Sequence, residues 1–118
     1  MEVSLRTVGF RSTSAITSFV NEQVGNAVGR LGHLVSSVSV TLRDENGPKG
    51  GIDKVCKVQV VLAQKGRIVI EERGDDIYKS IALAAHRVSA VISRKKEQIK
   101  SSFLRRRGAS VMRLDYLT

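Results

Sequence analysis

The sequence predicts an α+β domain in which two helices pack on one face of a four-stranded, mainly antiparallel sheet. Three observations lead to this prediction. Apolar residues recur at spacings of three and four in two long segments, which is the pattern of amphipathic helices. Apolar and polar residues alternate in four shorter segments, as they do in strands with one buried face. The order strand, helix, three strands, helix lets both apolar helix faces cover one sheet.

The first strand and the first helix are predicted from the N-terminal third of the chain. Val3 and Leu5 alternate with polar residues in a strand that extends to Phe10, and Gly9 indicates a bulge or the strand end. Thr13 is the predicted N-cap, because its hydroxyl can accept a first-turn amide. Gly32 is the predicted stop of the helix. The apolar face of this helix comprises Ile16, Phe19, Val20, Val24, Ala27, Val28 and Leu31.

Three further strands are predicted in the middle of the chain. Val38, Val40 and Leu42 alternate with Ser and Thr, and the Gly-rich segment 44–54 is a loop. The stretch "VCKVQVVLA" is apolar on both faces, which favours the centre of a sheet. It is followed after "QKG" by "RIVIEER", so these two strands form a hairpin. The inward positions are Cys56, Val58, Val60, Leu62, Ile68 and Ile70.

The second helix is predicted from Asp75 or Asp76 to about Lys100. Two adjacent acids project about 100° apart on a helix, so they do not form a carboxylate pair. At a helix start, however, one of them can cap the free amides, and both favour the positive end of the dipole. The apolar face comprises Ile77, Ile81, Ala84, Ala85, Val88, Val91, Ile92 and Ile99.

Charge is the most informative feature of the composition. Twenty Lys and Arg residues against 11 Asp and Glu residues give a net charge of +9, which favours a polyanionic partner. The last 26 residues alone carry eight basic and two acidic side chains. A membrane surface is disfavoured, because the apolar helix faces contain no Trp anchor and are needed for the core. No segment resembles a membrane span or a secretory signal, so a cytoplasmic location is expected.

Metal, cofactor and disulfide chemistry are not expected. Cys56 is the only cysteine, and it forms no zinc-ligand spacing with His33 or His86. Burial in a strand is the expected role of Cys56. His86 lies in a helix without a positioned base or nucleophile, so the chain is not predicted to be an enzyme.

RNA is the preferred polyanion. The chain contains no recognition-helix or zinc-finger pattern, and only 4% of its residues are aromatic, which excludes the stacking platform of common single-strand binders. The mode of recognition that remains is binding of folded RNA through its shape and its phosphates. Two alternatives stay open. One is a protein-interaction modulator, for example of transcription, and the other is a small RNA-processing enzyme that uses His86 with Asp75 or Asp76.

Two motifs in this order resemble a known family. The stretch "TSAITSFV" is similar to the pattern Thr-x-Ala-Leu/Ile-x-x-Phe/Tyr-Val, and "GDDIYKSI" is similar to acid-Met/Ile/Leu-Tyr-x-x-Ile. Both patterns occur in the ribosome hibernation-promoting factor family, whose members are also called ribosome-associated inhibitors or ribosomal subunit interface proteins. The resemblance covers about residues 1 to 102. It implies a fold similar to a double-stranded-RNA-binding domain with an added strand.

The resemblance also implies a function. Family members bind ribosomal RNA of the small subunit near the decoding centre, overlap the messenger and transfer RNA sites, and keep ribosomes inactive under stress or in stationary phase. By position, Arg87 and Arg94 are the first candidates for phosphate contacts. The further candidates by position are Lys79, Lys95, Lys96 and Lys100. Charge adds Arg30 of the first helix and Arg105, Arg106 and Arg107 of the C-terminal tail. The resemblance leaves the oligomeric state open.

The chain departs from the family pattern in several places. Gln23 and Asn26 stand where relatives commonly have lysines, and Ala82 replaces an acid that often follows the motif isoleucine. The resemblance is to the short form, which lacks a second, dimer-forming domain. We therefore expect a ribosome-binding domain at residues 1–104 and a basic C-terminal tail at residues 105–118.

Overall fold

The computed structural model describes residues 3–45, 53–64, 66–105 and 115–117. The predicted order of strand, helix, three strands and helix is confirmed, and a three-residue strand follows. In chain order the elements are β1 (Val3–Val8), α1 (Ser14–Val28), a 3-10 helix (Gly29–Leu34), β2 (Val35–Asp44), β3 (Lys54–Leu62), β4 (Arg67–Gly74), α2 (Ile77–Arg105) and β5 (Asp115–Leu117).

The strands lie in the sheet in the same order as in the chain. The strands β2, β3 and β4 are antiparallel neighbours, as predicted for a mainly antiparallel sheet. The strand β1 is parallel to β2, because α1 returns the chain to the same end of the sheet before β2 begins. The short strand β5 pairs in parallel with β4, where Ile68 is opposite Tyr116. Pairing with β5 protects part of the open edge of β4.

Both helices pack on one face of the sheet, and the core lies between the two layers. The strand alternation was predicted correctly, because the inward side chains are buried. They are Val38, Val40, Leu42, Cys56, Val58, Val60, Leu62, Ile68 and Ile70. From the helices, the core receives Ile16, Val20, Val24, Ala27, Val28, Ile81, Ala84, Ala85, Val88, Val91, Ile92 and Ile99.

The helix α1 begins as predicted and ends earlier than predicted. Its N-cap is Thr13, whose hydroxyl oxygen accepts a 3.1 Å hydrogen bond from the amide of Ile16. The α-helix ends at Val28, and a 3-10 helix continues to Leu34. Helical backbone geometry is interrupted at Gly32, whose φ of 52° and ψ of −122° turn the chain toward β2. The α-helix thus ends earlier than predicted, and Gly32 breaks the helical segment that follows it.

The start of α2 is fixed to the sheet by one buried serine. Asp76 caps the helix, since its Oδ1 accepts a 3.0 Å hydrogen bond from the amide of Tyr78. The hydroxyl of Ser80 is buried and lies 2.6 Å from the carbonyl oxygen of Lys54 on β3, to which it donates. This confirms the prediction that an acid of the pair Asp75 and Asp76 caps the start of the helix. The hydrogen bond between Ser80 and Lys54 sets the rotation of α2 about its axis.

Gly9 ends β1. Its φ is 88°, and a Cβ at this position would lie 2.7 Å from the carbonyl oxygen of Asp44. Any side chain here would meet both backbone strain and a collision with the end of β2. Of the two interpretations of Gly9, the strand end is the one that the structure shows.

Burial of Cys56 gives the fold a specific dependence on pH. The side chain is fully buried in β3, and burial raises the pKa of its thiol to about 12. In the unfolded chain the thiol titrates near its ordinary value of about 8.5. The unfolded state therefore loses this proton first as the pH rises, and the free energy of unfolding falls above about pH 9.

We expect wild-type protein to lose on the order of 1–2 kcal/mol more unfolding free energy than a Cys56→Val variant between pH 8 and pH 10. Valine has a similar size and does not titrate, so other groups affect both proteins equally. The measurement is denaturant unfolding at the two pH values. In native protein at pH 8 the thiol should also resist an aromatic disulfide reagent that modifies the unfolded chain. Equal pH dependence in both proteins would contradict this account.

Candidate nucleic-acid interface

The two helices lie side by side and run in the same direction. Near their starts, the rings of Phe19 and Tyr78 make an edge-to-face contact at 5.2 Å. Beyond the end of α1, Arg30 reaches Ser89 and Ser93 of α2. Because successive turns of α1 meet successive turns of α2, both helices start at one end of the sheet. Their dipoles are therefore parallel, with both positive ends together.

Acidic side chains gather at the end where the helices start. A cleft of about 280 Å³ here is lined by Asp44, Asp75 and Asp76, together with Lys54 and apolar side chains. The Lys54 ammonium lies 3.0 Å from Asp44 Oδ1 and 3.1 Å from the buried Asp53. The hydrogen bond to Asp44 is the main reason why the pKa of Lys54 is raised. Carboxylates at this end complement the positive ends of both helix dipoles.

Cationic side chains gather at the opposite end. Among the described residues from 77 onward in α2, Glu97 is the only acid. The basic residues of this region, together with the one that follows α1, are Arg30, Arg94, Lys95, Lys96 and Lys100. Arg30 follows the end of α1, where the helix dipole favours positive charge, whereas the basic residues of α2 precede its end at Arg105 by 5 to 11 residues. The fold therefore separates the charge of its helix layer along the helix axes.

Arg30 is held in place by α2. Its Nη2 donates to the hydroxyl of Ser89 at 2.8 Å, to the hydroxyl of Ser93 at 3.1 Å and to the carbonyl oxygen of Ser89 at 3.3 Å. No acid within the described residues pairs with Arg30, so its charge is not neutralised. The other guanidinium nitrogens retain donors for a phosphate. Arg30 is therefore a cation that uncharged serine oxygens hold in one position.

Arg87 has a different environment. Its Nη1 lies 2.7 Å from Oε1 of Glu72 on β4, and the two side chains are 43% and 20% exposed. Arg87 therefore lies on the flank of α2 that faces β4, away from α1. Much of its charge is compensated by this ion pair. The residue remains a predicted RNA contact, but the structure gives it a second role in joining α2 to the sheet.

The remaining candidates of α2 lie on both flanks of the helix. Arg94 is seven residues from Arg87, so it projects on the β4 flank, and it is exposed. Lys96 and Lys100 lie on the α1 flank, as Arg30 does. None of Arg94, Lys96 and Lys100 has an ion-pair partner among the described residues. We call Arg30, Arg94, Lys96 and Lys100 the basic end.

The other predicted contacts fall outside this group. Lys79 is exposed and lies 3.5 Å from Asp75 Oδ1, at the acidic end of α2. At 1.5 Å per residue it is about 30 Å from Lys100 along the helix. Lys95 and Lys96 are both half-buried, but Lys95 lies on the side of α2 that faces the sheet. The helix continues to Arg105, five residues beyond its predicted end, and the side chain of Arg105 together with Arg106 and Arg107 lies outside the described residues.

A second cleft lies between the helices, next to the basic end. It has a volume of about 240 Å³ and is lined by small and polar side chains of both helices. The lining residues are Gln23, Asn26, Ala27, Ala82, Ala85, His86 and Ser89. Gln23, Asn26 and Ala82 are the three positions at which the chain departs from the family pattern. We call this site the interhelical cleft.

Sequence reasoning missed the interhelical cleft and the anchoring of Arg30. Both depend on contacts between residues about 60 positions apart, such as the pair Arg30 and Ser89. One local signal was available. Ala82, Ala85 and Ser89 are small residues at spacings of three and four, which indicates a close approach of another helix. His86 lies in a helix as predicted, and its side chain is exposed.

The opposite face of the sheet carries mixed charge. Arg43 lies 2.7 Å from Glu71 across β3, and Arg73 hydrogen-bonds to Glu45. Between them, Val55 is fully buried although it points away from the helix layer. Ser and Thr side chains occupy much of the rest of β2 on this face. Arg6, Lys57 and Arg67 also project from this face, and none of them has an ion-pair partner among the described residues, so positive charge is present here as well.

Neither a metal site nor a membrane span is present in the described part of the chain. No three His, Cys, Asp or Glu side chains are grouped so that they could hold a metal ion there. No helix of that part is long and apolar enough to cross a bilayer. Asp76 caps α2 and Asp75 contacts Lys79, which accounts for the two acids.

Comparison with known proteins places these features in a family. The family model described as "Sigma 54 modulation protein / S30EA ribosomal protein" matches residues 3–100. A curated relative from Spinacia oleracea, named "Ribosome-binding factor PSRP1, chloroplastic", is 36% identical over 87 residues. That alignment covers 72% of this chain and 28% of the relative. The chain thus spans little more than a quarter of the length of that protein.

Two solved structures share the fold. A ribosomal subunit interface protein from Coxiella burnetii superposes with a TM-score of 0.70 at 16% identity, covering 82% of this chain and 99% of that one. The N-terminal domain of Thermus thermophilus Protein Y gives 0.64 at 21% identity, covering 80% and 98%. Because the family model extends over most of the chain, this protein belongs to the sigma 54 modulation protein / S30EA ribosomal protein family.

Proposed function

We propose that this chain is a ribosome-binding translation inhibitor that uses its basic end to hold ribosomal RNA of the small subunit. It occupies the decoding region, blocks messenger and transfer RNA, and acts in the cytoplasm under stress or in stationary phase. The observation that carries the proposal is the grouping of Arg30, Lys96 and Lys100 on the α1 flank of α2, with Arg94 exposed on the opposite flank of the same helix segment. The name of the spinach relative, a ribosome-binding factor, supports the same partner.

The mechanism is steric exclusion by a positively charged domain. Phosphates bound by the basic end release condensed counterions, and this release drives association at low salt. Four uncompensated cations correspond to a log-log salt slope of about 3 to 4 in magnitude. At the opposite end Asp44 and Asp75 are compensated by Lys54 and Lys79, so the excess positive charge of the helix layer lies at the basic end and orients the domain. A domain held this way in an RNA channel leaves no space for a second RNA.

The contribution of single cations can be tested with two identical substitutions seven residues apart. We expect Arg94→Gln to weaken binding to small subunits and to reduce the magnitude of the salt slope by about 0.9. Arg87→Gln should change the slope by less than half as much, because Glu72 already compensates Arg87. The measurement is equilibrium binding to purified small subunits at several salt concentrations. The assignment of the basic end is wrong if Arg87→Gln has the larger effect.

Competition tests the proposed position on the ribosome. Purified small subunits are prepared empty and preloaded with a messenger and a transfer RNA, and co-sedimentation of this protein is measured at low salt. We expect strong binding to empty subunits and a loss of at least tenfold in affinity for preloaded ones. A Lys57→Gln variant on the outer sheet face serves as a control that should behave as wild type. Equal binding to both preparations would contradict the decoding-region proposal, and no binding to either would contradict the proposed function.

The alternative of a protein-interaction modulator is separated by nuclease treatment. If the partner is ribosomal RNA, nuclease digestion of a lysate should remove ribosomal components from material captured by this protein. A direct complex with a transcription protein would survive digestion. The description of the family includes sigma 54 modulation, which makes this control necessary.

A further inference from the structure

We propose that the interhelical cleft binds one unpaired nucleobase, while Arg30 at its end holds the adjoining phosphate. This inference rests on the proposed function, because it assigns a ligand to the surface that contacts RNA. It goes further, because phosphate contacts alone do not distinguish paired from unpaired RNA. Three features of the cleft support it: its size, its polar groups and its position beside an ordered cation.

The size of the cleft fits a single flat group. Its volume of about 240 Å³ lies below the roughly 300–1,000 Å³ of pockets that hold drug-sized ligands. Its alanine lining, Ala27, Ala82 and Ala85, offers methyl groups and no charge. Ala27 and Ala85 are buried and form the floor of the cleft, and Ala82 is half-buried, so a planar ring would lie on this floor in the groove between the helices. The alanine residues make one part of the cleft apolar, and the polar side chains lie where the cleft opens to the surface.

The polar groups of the cleft match the edges of bases. The side-chain amides of Gln23 and Asn26 each present a donor and an acceptor side by side, as the edge of a nucleobase does. Neither amide has a hydrogen-bond partner among the described residues, and the exposed imidazole of His86 has none there either. An imidazole can stack on a base as well as donate to it. A site that binds one base does not require the several aromatic side chains on which single-strand binders stack successive bases.

Arg30 supplies the phosphate contact. It is fixed by Ser89, which itself lines the cleft, through a hydrogen bond of 2.8 Å. A nucleotide whose base enters the cleft would thus have its phosphate next to a guanidinium that has no acidic partner within the described residues. The ligand is therefore an extruded nucleotide of a loop, bulge or strand end. A regular duplex keeps its bases stacked inside and cannot present one to the cleft.

The test uses the folded, isotope-labelled chain and two RNA probes. The first probe is a single-stranded RNA of twelve nucleotides, and the second is the same strand annealed to its complement. We expect the side-chain amide resonances of Gln23 and Asn26 to shift with the single strand and to remain unshifted with the duplex. The duplex carries more phosphates, so a purely electrostatic surface would give equal or larger shifts with it, and that result would overturn the proposal.

Two variants link the shifts to the cleft. Ala82→Leu fills the cleft, and it should weaken binding of the single strand at least about fivefold without changing the salt slope. Ala90→Leu makes the same change on α2 outside the cleft and should bind as wild type does. Asn26→Ala is a second test in case Ala82→Leu disturbs folding. Asn26 is exposed, and its replacement should also weaken binding of the single strand. Wild-type binding by both Ala82→Leu and Asn26→Ala would overturn the proposal.

The outcome is independent of the ribosome experiment. If small subunits bind wild-type protein and the Ala82→Leu variant equally well, and the single strand does not shift the amides, the cleft proposal fails while the proposed function stands. If small subunits do not bind and the amides still shift only with the single strand, the proposed function fails while the cleft assignment stands.

Discussion

The structure depends on one constraint, which is that only one face of the sheet is continuously apolar. The inner positions of β2, β3 and β4 are Val, Leu, Ile and Cys, whereas the outer face carries arginine-glutamate pairs and hydroxyl groups. Both helices must therefore lie on the inner face, side by side. Because β1 is parallel to β2, α1 runs in the same direction as α2. Helix direction and helix contact thus follow from the sheet.

Parallel helices impose a polarity that the charged residues follow. The two positive dipole ends lie together with Asp44, Asp75 and Asp76 beside them. The end of α1 has Arg30 beside it, and Lys96 and Lys100 lie further along α2, before its end at Arg105. The dipole of α1 therefore stabilises Arg30, a cation that we assign to RNA binding.

Much of the fold could be predicted from the sequence, because it depends on local periodicity. Alternation located the strands, the motif "GDDIYKSI" located the start of α2, and Thr13 located the start of α1. The sequence did not indicate the neighbours of each cation across the fold. Arg87 and Arg94 share one helix flank, yet only Arg87 meets Glu72, which lies on a separate strand. The interhelical cleft likewise needs the rotation of α2 that Ser80 sets through β3.

The central claim is that the helix layer at its basic end, and not the outer face of the sheet, contacts ribosomal RNA. Lysine modification of the protein, free and bound to small subunits, followed by mass spectrometry of its peptides, tests this claim most directly. The account predicts that binding protects Lys96 and Lys100 from an amine-reactive reagent and leaves Lys57 of the outer face as reactive as in the free protein. Protection of Lys57 with unchanged reactivity of Lys96 and Lys100 would contradict it.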